Sequence, residues 1–383
     1  MAGTLHKTRT DVVGSLLRPA RWQAARARLD SGALSQDAFD EIERACVRDL
    51  IALQEEIGLD VVTDGEISRL NFQDSFGLAV AGYEAATPDT LARHVRRSAG
   101  ATPLRRWDMP DLASAGTPVS HRRATVRRLE LTNNVALAEF QRASAVARKP
   151  VKVSLIGPDR ISQRFDYQAS KTVYADMDAF MTDVVAIERR MIAQVVEAGC
   201  RYVHIDAPGF TAYADGPSLA AMRARGEDPE VNLARSIAAE AAIVRGFNGV
   251  TFGIHLCRGN QRSMWHREGT YDAIAERLFN ALPHDRFLLE YDSPRAGGFE
   301  PLRFVPKGKI IVLGLVSTKV PELESVDDLK RRIDAATKYV GLEQLAISPQ
   351  CGFASDVAGN LISEDDQKRK LERVVETARQ VWG

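Results

Sequence analysis

Four side chains in this sequence carry the donor chemistry of a metal centre: His255 and Cys257 in GIHLCRGN, Glu290 in FLLEYDSP and Cys351 in AISPQCGF. One imidazole, one carboxylate and two thiolates make a borderline-soft ligand set that suits Zn2+. A substrate thiol brought to such an ion loses its proton near neutral pH and becomes a strong nucleophile. An H-x-C pair alone is weak evidence, because such pairs arise by chance. The full set is more specific, since Glu290 follows Cys257 one strand–helix unit later and Cys351 follows two units after that. No fourth cysteine lies nearby to complete an all-sulfur structural site. The pattern predicts a catalytic zinc ion and an enzyme that alkylates a thiol.

Each of these residues stands at the end of an apolar, β-branched run. Eight such runs can be read, at 10–13, 60–63, 151–156, 202–205, 250–255, 286–291, 309–315 and 344–348. Helical spacing of apolar residues fills most of the intervals, most clearly at 36–57, 175–198, 229–246, 271–281, 325–339 and 364–381. Eight strand–helix units predict an α/β chain folded as a single (β/α)8 TIM barrel over residues 1–383. A doubly wound open sheet is the alternative, but no Gly-rich dinucleotide turn follows the first run. Special residues collect directly after the runs: Gly14-Ser15, Asp64-Gly65-Glu66, Gly157-Pro158, Asp206, His255 with Cys257, Glu290, Ser317 to Lys319, and Cys351. Barrel enzymes build their sites at these C-terminal strand ends.

One segment breaks the rhythm. Between the second and third runs, at about 81–150, the chain carries Arg96-Arg97, Arg105-Arg106, Arg122-Arg123 and Arg127-Arg128. Within it RRATVRRLELTNN alternates as a β-hairpin arm would. The insertion suits a solvated, salt-bridged excursion or the contact of a homo-oligomer; its functional reading is a lid or a cationic rim for an anionic substrate.

Composition narrows the function classes. Lys plus Arg and Asp plus Glu number 51 each, and zero net charge argues against nucleic acid or an anionic membrane as partner. The start, MAGTLHKTRTDVV, lacks a signal-peptide core, and the longest apolar run, around 310–316, is too short to span a bilayer. A cytoplasmic protein is expected. Four cysteines in 383 residues do not make a disulfide framework, and Cys46 and Cys200 read as small core residues.

The stretches DVVGSLLRP, VVTDGEISR, SLIGPD, HIDAPGF, GIHLCRGN, LLEYDSP, LGLVSTKVPELES and SPQCGF run in order through nearly the whole chain. In them the sequence resembles the catalytic half of cobalamin-independent methionine synthase, and most closely the short single-barrel members of that superfamily, which also includes uroporphyrinogen decarboxylase. The resemblance implies a (β/α)8 barrel with zinc on His255, Cys257, Glu290 and Cys351, where Glu290 would exchange with the incoming sulfur. It implies homocysteine as acceptor, held at its amino acid end by Gly14, Ser15, Glu66 and Asp206. That agrees with chemistry, since an ammonium wants carboxylates and a carboxylate wants hydroxyl or backbone N–H donors.

The departures concern the methyl donor. The Trp that stacks on the folate pterin in the two-barrel enzymes is missing from GPDRISQRF, and Lys319 stands where those enzymes carry a proton-donating His. The donor could then be a methylfolate, a methylcorrinoid protein or another activated methyl compound. A rival within the superfamily opens epoxides with coenzyme M; its sulfonate would want Arg residues, and Arg18 and Arg69 lie close in sequence. A zinc-free decarboxylase conflicts with the complete ligand set, and a structural zinc clamp in a binding protein is the non-enzymatic alternative.

Overall fold

Runs such as IIVLGLV are apolar on both faces, the pattern of parallel strands covered on each side. The computed structural model describes residue 5, residues 7–85, the backbone of 106–107 and residues 123–383. Its strands are β1 (Val80–Tyr83), β2 (Arg106–Trp107), β3 (Thr125–Leu131), β4 (Lys152–Ile156), β5 (Tyr202–Asp206), β6 (Thr251–Leu256), β7 (Met264–Trp265), β8 (Arg286–Glu290), β9 (Ile310–Val316) and β10 (Leu345–Pro349). Six of them form one parallel sheet in the order β4-β5-β6-β8-β9-β10. Helices Met177–Glu197, Pro229–Val244, Ala275–Ala281 and Val326–Ala336 connect successive strands, whereas β8 and β9 are joined through short 3-10 turns. Asp176, Asp228 and Ser325 cap three of these helices by accepting backbone N–H bonds. The expected helix at 271–281 starts instead as a 3-10 turn, Tyr271–Ala273, whose Tyr271 hydroxyl reaches inward to the Leu256 carbonyl at 2.9 Å.

The first two runs are not strands among the described residues; each contributes an isolated parallel bridge. Thr10 pairs with Ile347 of β10, and Val62 pairs with Val151 next to β4, so the two runs flank opposite edges of the sheet. They meet each other largely through side chains. Asp60 accepts the N–H groups of Arg9 and Thr10 at 2.8 and 2.9 Å, and the Thr63 hydroxyl donates to the Gly14 carbonyl at 2.7 Å. Short polar side chains that bond nearby backbone in this way compete with a regular ladder.

The insertion is extended in part and helical in part. β3 pairs antiparallel with β1 across a register shift, as the alternation of RRATVRRLELTNN suggests, and the helix Val135–Ser144 then leads into β4. β2 pairs antiparallel with β7, on the segment that follows Cys257. Arg127 and Arg128 pair with Glu130 and Asp183, and Arg123 lies over the Tyr83 ring. Arg96, Arg97, Arg105 and Arg122 lie outside the described residues.

One sheet face packs against the helices in a large apolar cluster. The opposite face carries a small cluster of Val13, Leu288, Ile310, Val312 and Ala346, which alternate along their strands with the helix-facing set. On β5 and β8 that inner face is mostly polar: Tyr202, His204 and Asp206, then Arg286 and Glu290 on either side of Leu288. Among the described residues no helix is long and apolar enough to cross a membrane.

Candidate metal centre and its surroundings

His255 is the next-to-last residue of β6, and Cys257 follows that strand immediately. Cys351 stands two residues beyond β10. Parallel pairing in register puts these ends at one rim, so that donor atoms of His255, Cys257 and Cys351 lie within 4.8 Å of one another, all buried. The His255 Nδ1 lies 3.2 Å from the Leu288 carbonyl. Donating there fixes the tautomer that leaves Nε2 with a free lone pair. That Nε2 is buried and has no hydrogen-bond partner. The neighbouring Cys351 thiol, and then burial, hold the Cys257 thiol well above the usual range against the opposing pull of His255. An orphaned imidazole nitrogen facing two thiols is a donor set that fits zinc, whose charge would reverse that preference for the protonated thiol.

Glu290 ends β8 but lies outside this three-residue grouping. One carboxylate oxygen accepts the backbone N–H of Arg258, and the other pairs with Arg295 at 3.0 Å and lies 3.7 Å from Lys319 Nζ. Burial favours the neutral acid, yet Lys319, Arg258 and Arg295 outweigh it and hold Glu290 well below the ordinary carboxylate range. Lys319 is fully buried three residues after β9, and its Nζ makes no hydrogen bond. Burial opposes its charge, while Glu290 and Asp292 raise its affinity for the proton above that of an ordinary lysine. Lys319 is therefore an ammonium that balances two carboxylates, and a poor proton donor near neutrality.

The remaining sequence-predicted residues ring the same end of the sheet. Asp206 closes β5 directly beside His255 in the ladder. Its Oδ1 is buried without a partner, and burial together with Glu66 lifts its pKa to about 6 against the pull of His255. It is not a helix cap; Ala207 precedes the next turn. The Glu66 carboxylate accepts from the Ser154 hydroxyl and lies 3.4 Å from Arg69. A Cβ on Gly14 would overlap Glu66 Oε1, so a larger residue there would displace that carboxylate. Ser15 abuts the Cys351 loop: its carbonyl accepts from the Phe353 N–H at 2.8 Å and its Oγ from the Ala354 N–H at 3.3 Å.

Sequence reading missed several participants. Arg258, Asp292 and Arg295 engage Glu290 or Lys319, and their only sequence signal is adjacency to Cys257 and Glu290. Ser154 is signalled by a lone hydroxyl between Val153 and Leu155 in β4. Asp64, already one of the special residues after the second run, accepts the Glu66 N–H, and burial followed by Glu139 raises its carboxyl to about 7. Arg18 and Arg69, the nearby candidates for a sulfonate, are both engaged. Arg18 donates to the carbonyls of Ala354, Glu66 and Arg69 at 2.8, 2.8 and 2.6 Å. Arg69 is clasped by Glu139 and the Ser154 carbonyl.

A parallel α/β sheet thus carries buried thiol and imidazole donors at its C-terminal rim, a donor set that fits a metal ion. The chain belongs to the cobalamin-independent methionine synthase family, whose synthase catalytic-domain model matches residues 8–103 and 109–379. It is 34% identical to the uncharacterized protein YxjH of Bacillus subtilis (strain 168), covering 98% of this chain and 94% of that one. It is 25% identical to a methionine synthase of Pyrococcus abyssi, covering 90% and 86%. The solved B12-independent methionine synthase of Shewanella sp. W3-18-1 shares the fold, with a TM-score of 0.70 at 16% identity over 98% of this chain and 97% of that one.

Proposed function

We propose that this chain is a zinc-dependent methyltransferase of the cytoplasm that converts homocysteine to methionine at the rim of a closed (β/α)8 barrel. The observation that carries the reading is the buried triad of His255, Cys257 and Cys351 with the unpartnered His255 Nε2. Those three residues would hold the ion, and Glu290 would be a fourth, exchangeable ligand. Its charge is already shared with Arg295 and Lys319, which makes it a weak donor that an incoming sulfur can replace. Zinc at this site supplies the Lewis acidity that lets a substrate thiol ionise near neutral pH.

The chain's own residues handle the rest of the acceptor. Asp206 and Glu66 lie where an ammonium would satisfy the orphaned Asp206 oxygen. The Gly14-Ser15 loop, packed on Cys351, brings hydroxyl and backbone donors for the carboxylate. Orientation by both ends fixes the sulfur for in-line attack on the methyl group of the donor, a methylfolate, methylcorrinoid or other activated methyl compound. The engagement of Arg18 and Arg69 favours homocysteine over a sulfonate thiol such as coenzyme M in the epoxide-opening alternative. The raised proton affinity of Lys319 supports an electrostatic role at Glu290 in place of proton donation to the leaving group.

The test is zinc content together with X-ray absorption of the zinc-loaded protein. Homocysteine should add one sulfur scatterer at about 2.3 Å. Cys257→Ser and Cys351→Ser should each lose stoichiometric zinc while keeping the far-ultraviolet circular dichroism of the folded chain. Full zinc retention in both variants, or a spectrum untouched by saturating homocysteine, would overturn the assignment.

A further inference from the structure

Beside the metal centre two guanidiniums converge with no carboxylate between them. Arg160 lies on the short turn of helix after β4, and Arg267 lies on the segment that follows Cys257. Both donate to the same neutral atom, Gln163 Oε1, each at 3.4 Å. Gln163 is itself fixed, since its amide nitrogen donates to Asp159 Oδ2 at 3.2 Å and to the Gly209 carbonyl at 3.1 Å. Arg267 also donates to the Pro208 carbonyl at 2.6 Å and to the Thr211 hydroxyl, which in turn donates to the Cys257 carbonyl at 2.7 Å. That chain of contacts ties the pair to the metal-site loop. Neither guanidinium forms an ion pair among the described residues, and Arg160 Nε is buried without a partner. Both residues are partly exposed.

Two like charges held together and partly desolvated are costly unless an anion joins them. Burial, then Arg164 and Arg267, bring the Arg160 pKa down to about 9, and burial lowers Arg267 too. Asp159 partly offsets both charges, but its oxygens already accept from Ser236, Tyr213 and Gln163, and it makes no ion pair with either guanidinium. The homocysteine cradle proposed above, Glu66, Asp206 and Ser15, borders this pair on the Asp206 side.

We infer that Arg160 and Arg267 form an oxyanion subsite that seats a carboxylate or phosphate group of the second substrate, the methyl donor, next to the metal-held thiol. The inference rests on the methyltransferase reading. Planar guanidiniums bind both oxyanions through paired N–H bonds, so the shared chemistry is recognition of a doubly accepting oxyanion.

The test is calorimetric titration of the full zinc-loaded chain, with and without saturating homocysteine, using inorganic phosphate in one arm and glutarate in the other. One arm should show a single site per chain, and which arm does so identifies the group. Arg160→Gln should weaken that binding roughly ten- to a hundredfold, as expected for losing a charged hydrogen-bond partner. Arg160→Lys should recover part of it, and homocysteine affinity should stay within about twofold. Because Gln163 is the only hydrogen-bond partner of the Arg160 side chain among the described residues, this variant should fold. Arg267→Gln provides the second case. Absence of binding in both arms, or binding unchanged in both variants, overturns the subsite. So does an equal loss of homocysteine or of 2-mercaptoethanesulfonate, which would give the guanidiniums to the thiol's own anion. Should homocysteine fail to bind the wild-type protein, the functional reading fails, while the anion titrations on the free protein still decide the subsite.

Discussion

The two ends of the parallel sheet are both buried and both polar, yet they are finished differently. At the N-terminal end Asp11 lies between Lys152, Tyr202 and Arg286, the first residues of β4, β5 and β8. Its Oδ1 accepts from Lys152 at 2.6 Å, and its Oδ2 accepts from Tyr202 at 2.6 Å and from Arg286 at 3.2 Å. Burial favours its neutral form, but Lys152 and Arg286 win and hold Asp11 below the usual carboxylate range. At the C-terminal end His255 Nε2, Asp206 Oδ1 and Lys319 Nζ are buried with no hydrogen-bond partner. Buried polar groups are ordinarily satisfied, so a cluster of exceptions marks a place kept open for something else. The Asp11 network is scaffold, and the open rim is where ligands are expected, although His284 just before β8 is also buried with both ring nitrogens unbonded.

The sharpest way to break this comparison is to remove a charge from each end. Asp11→Asn leaves Lys152 and Arg286 buried with an uncompensated charge, and should cost about 3–5 kcal/mol of stability. The urea-unfolding midpoint measures it, and a loss under about 1 kcal/mol would mean the N-terminal network is not the scaffold argued here.

Asp206→Asn should behave in the opposite way. Its Oδ1 has no partner to lose, so the unfolding midpoint should barely move, while homocysteine affinity falls roughly ten- to a hundredfold, about 1.5–3 kcal/mol. A thiol without an amino group should be indifferent to the change. Equal losses for the two thiols would assign Asp206 a structural role and remove the distinction between the ends.

A third buried acid separates burial from function. Glu188, on the helix Met177–Glu197, has both oxygens unpartnered, and burial raises its pKa well above the ordinary 4.5. Because the folded state holds that proton more tightly than the unfolded chain, its stabilising linkage is complete below about pH 4.5 and is lost as pH rises toward the folded pKa. Glu188→Gln avoids that loss. It should raise the melting temperature at pH 8 by about one to two degrees per kcal/mol and leave it unchanged near pH 4. A gain independent of pH would show that packing, not protonation, governs this position.

Six of the eight expected strands are present, because runs buried on both faces have an unmistakable composition and length. Strand ends were equally legible, and with them the placement of His255, Cys257, Cys351, Asp206 and Glu290 on one rim. The segments around Thr10 and Val62 lie where strand spacing predicts them, but they form isolated bridges in place of regular strands. Apolar periodicity does not register that Asp60 and Thr63 bond the neighbouring backbone instead of a ladder.

What periodicity by itself determines is which face and which end of a strand a residue occupies, since both follow from local spacing along the chain. Tertiary structure alone decides how each charge is spent. Arg69 reaches Ser154, 85 residues away, and Glu139, 70 residues away, which takes it out of contention as a sulfonate ligand. Glu290 is drawn to Arg295 and Lys319 by loops that no spacing rule joins. Arg160 and Arg267 are 107 positions apart and meet only because β4 and β6 lie in one sheet with β5 between them. Electrostatic partnership depends on distances of a few ångströms between remote elements, and those distances exist only once the chain has folded.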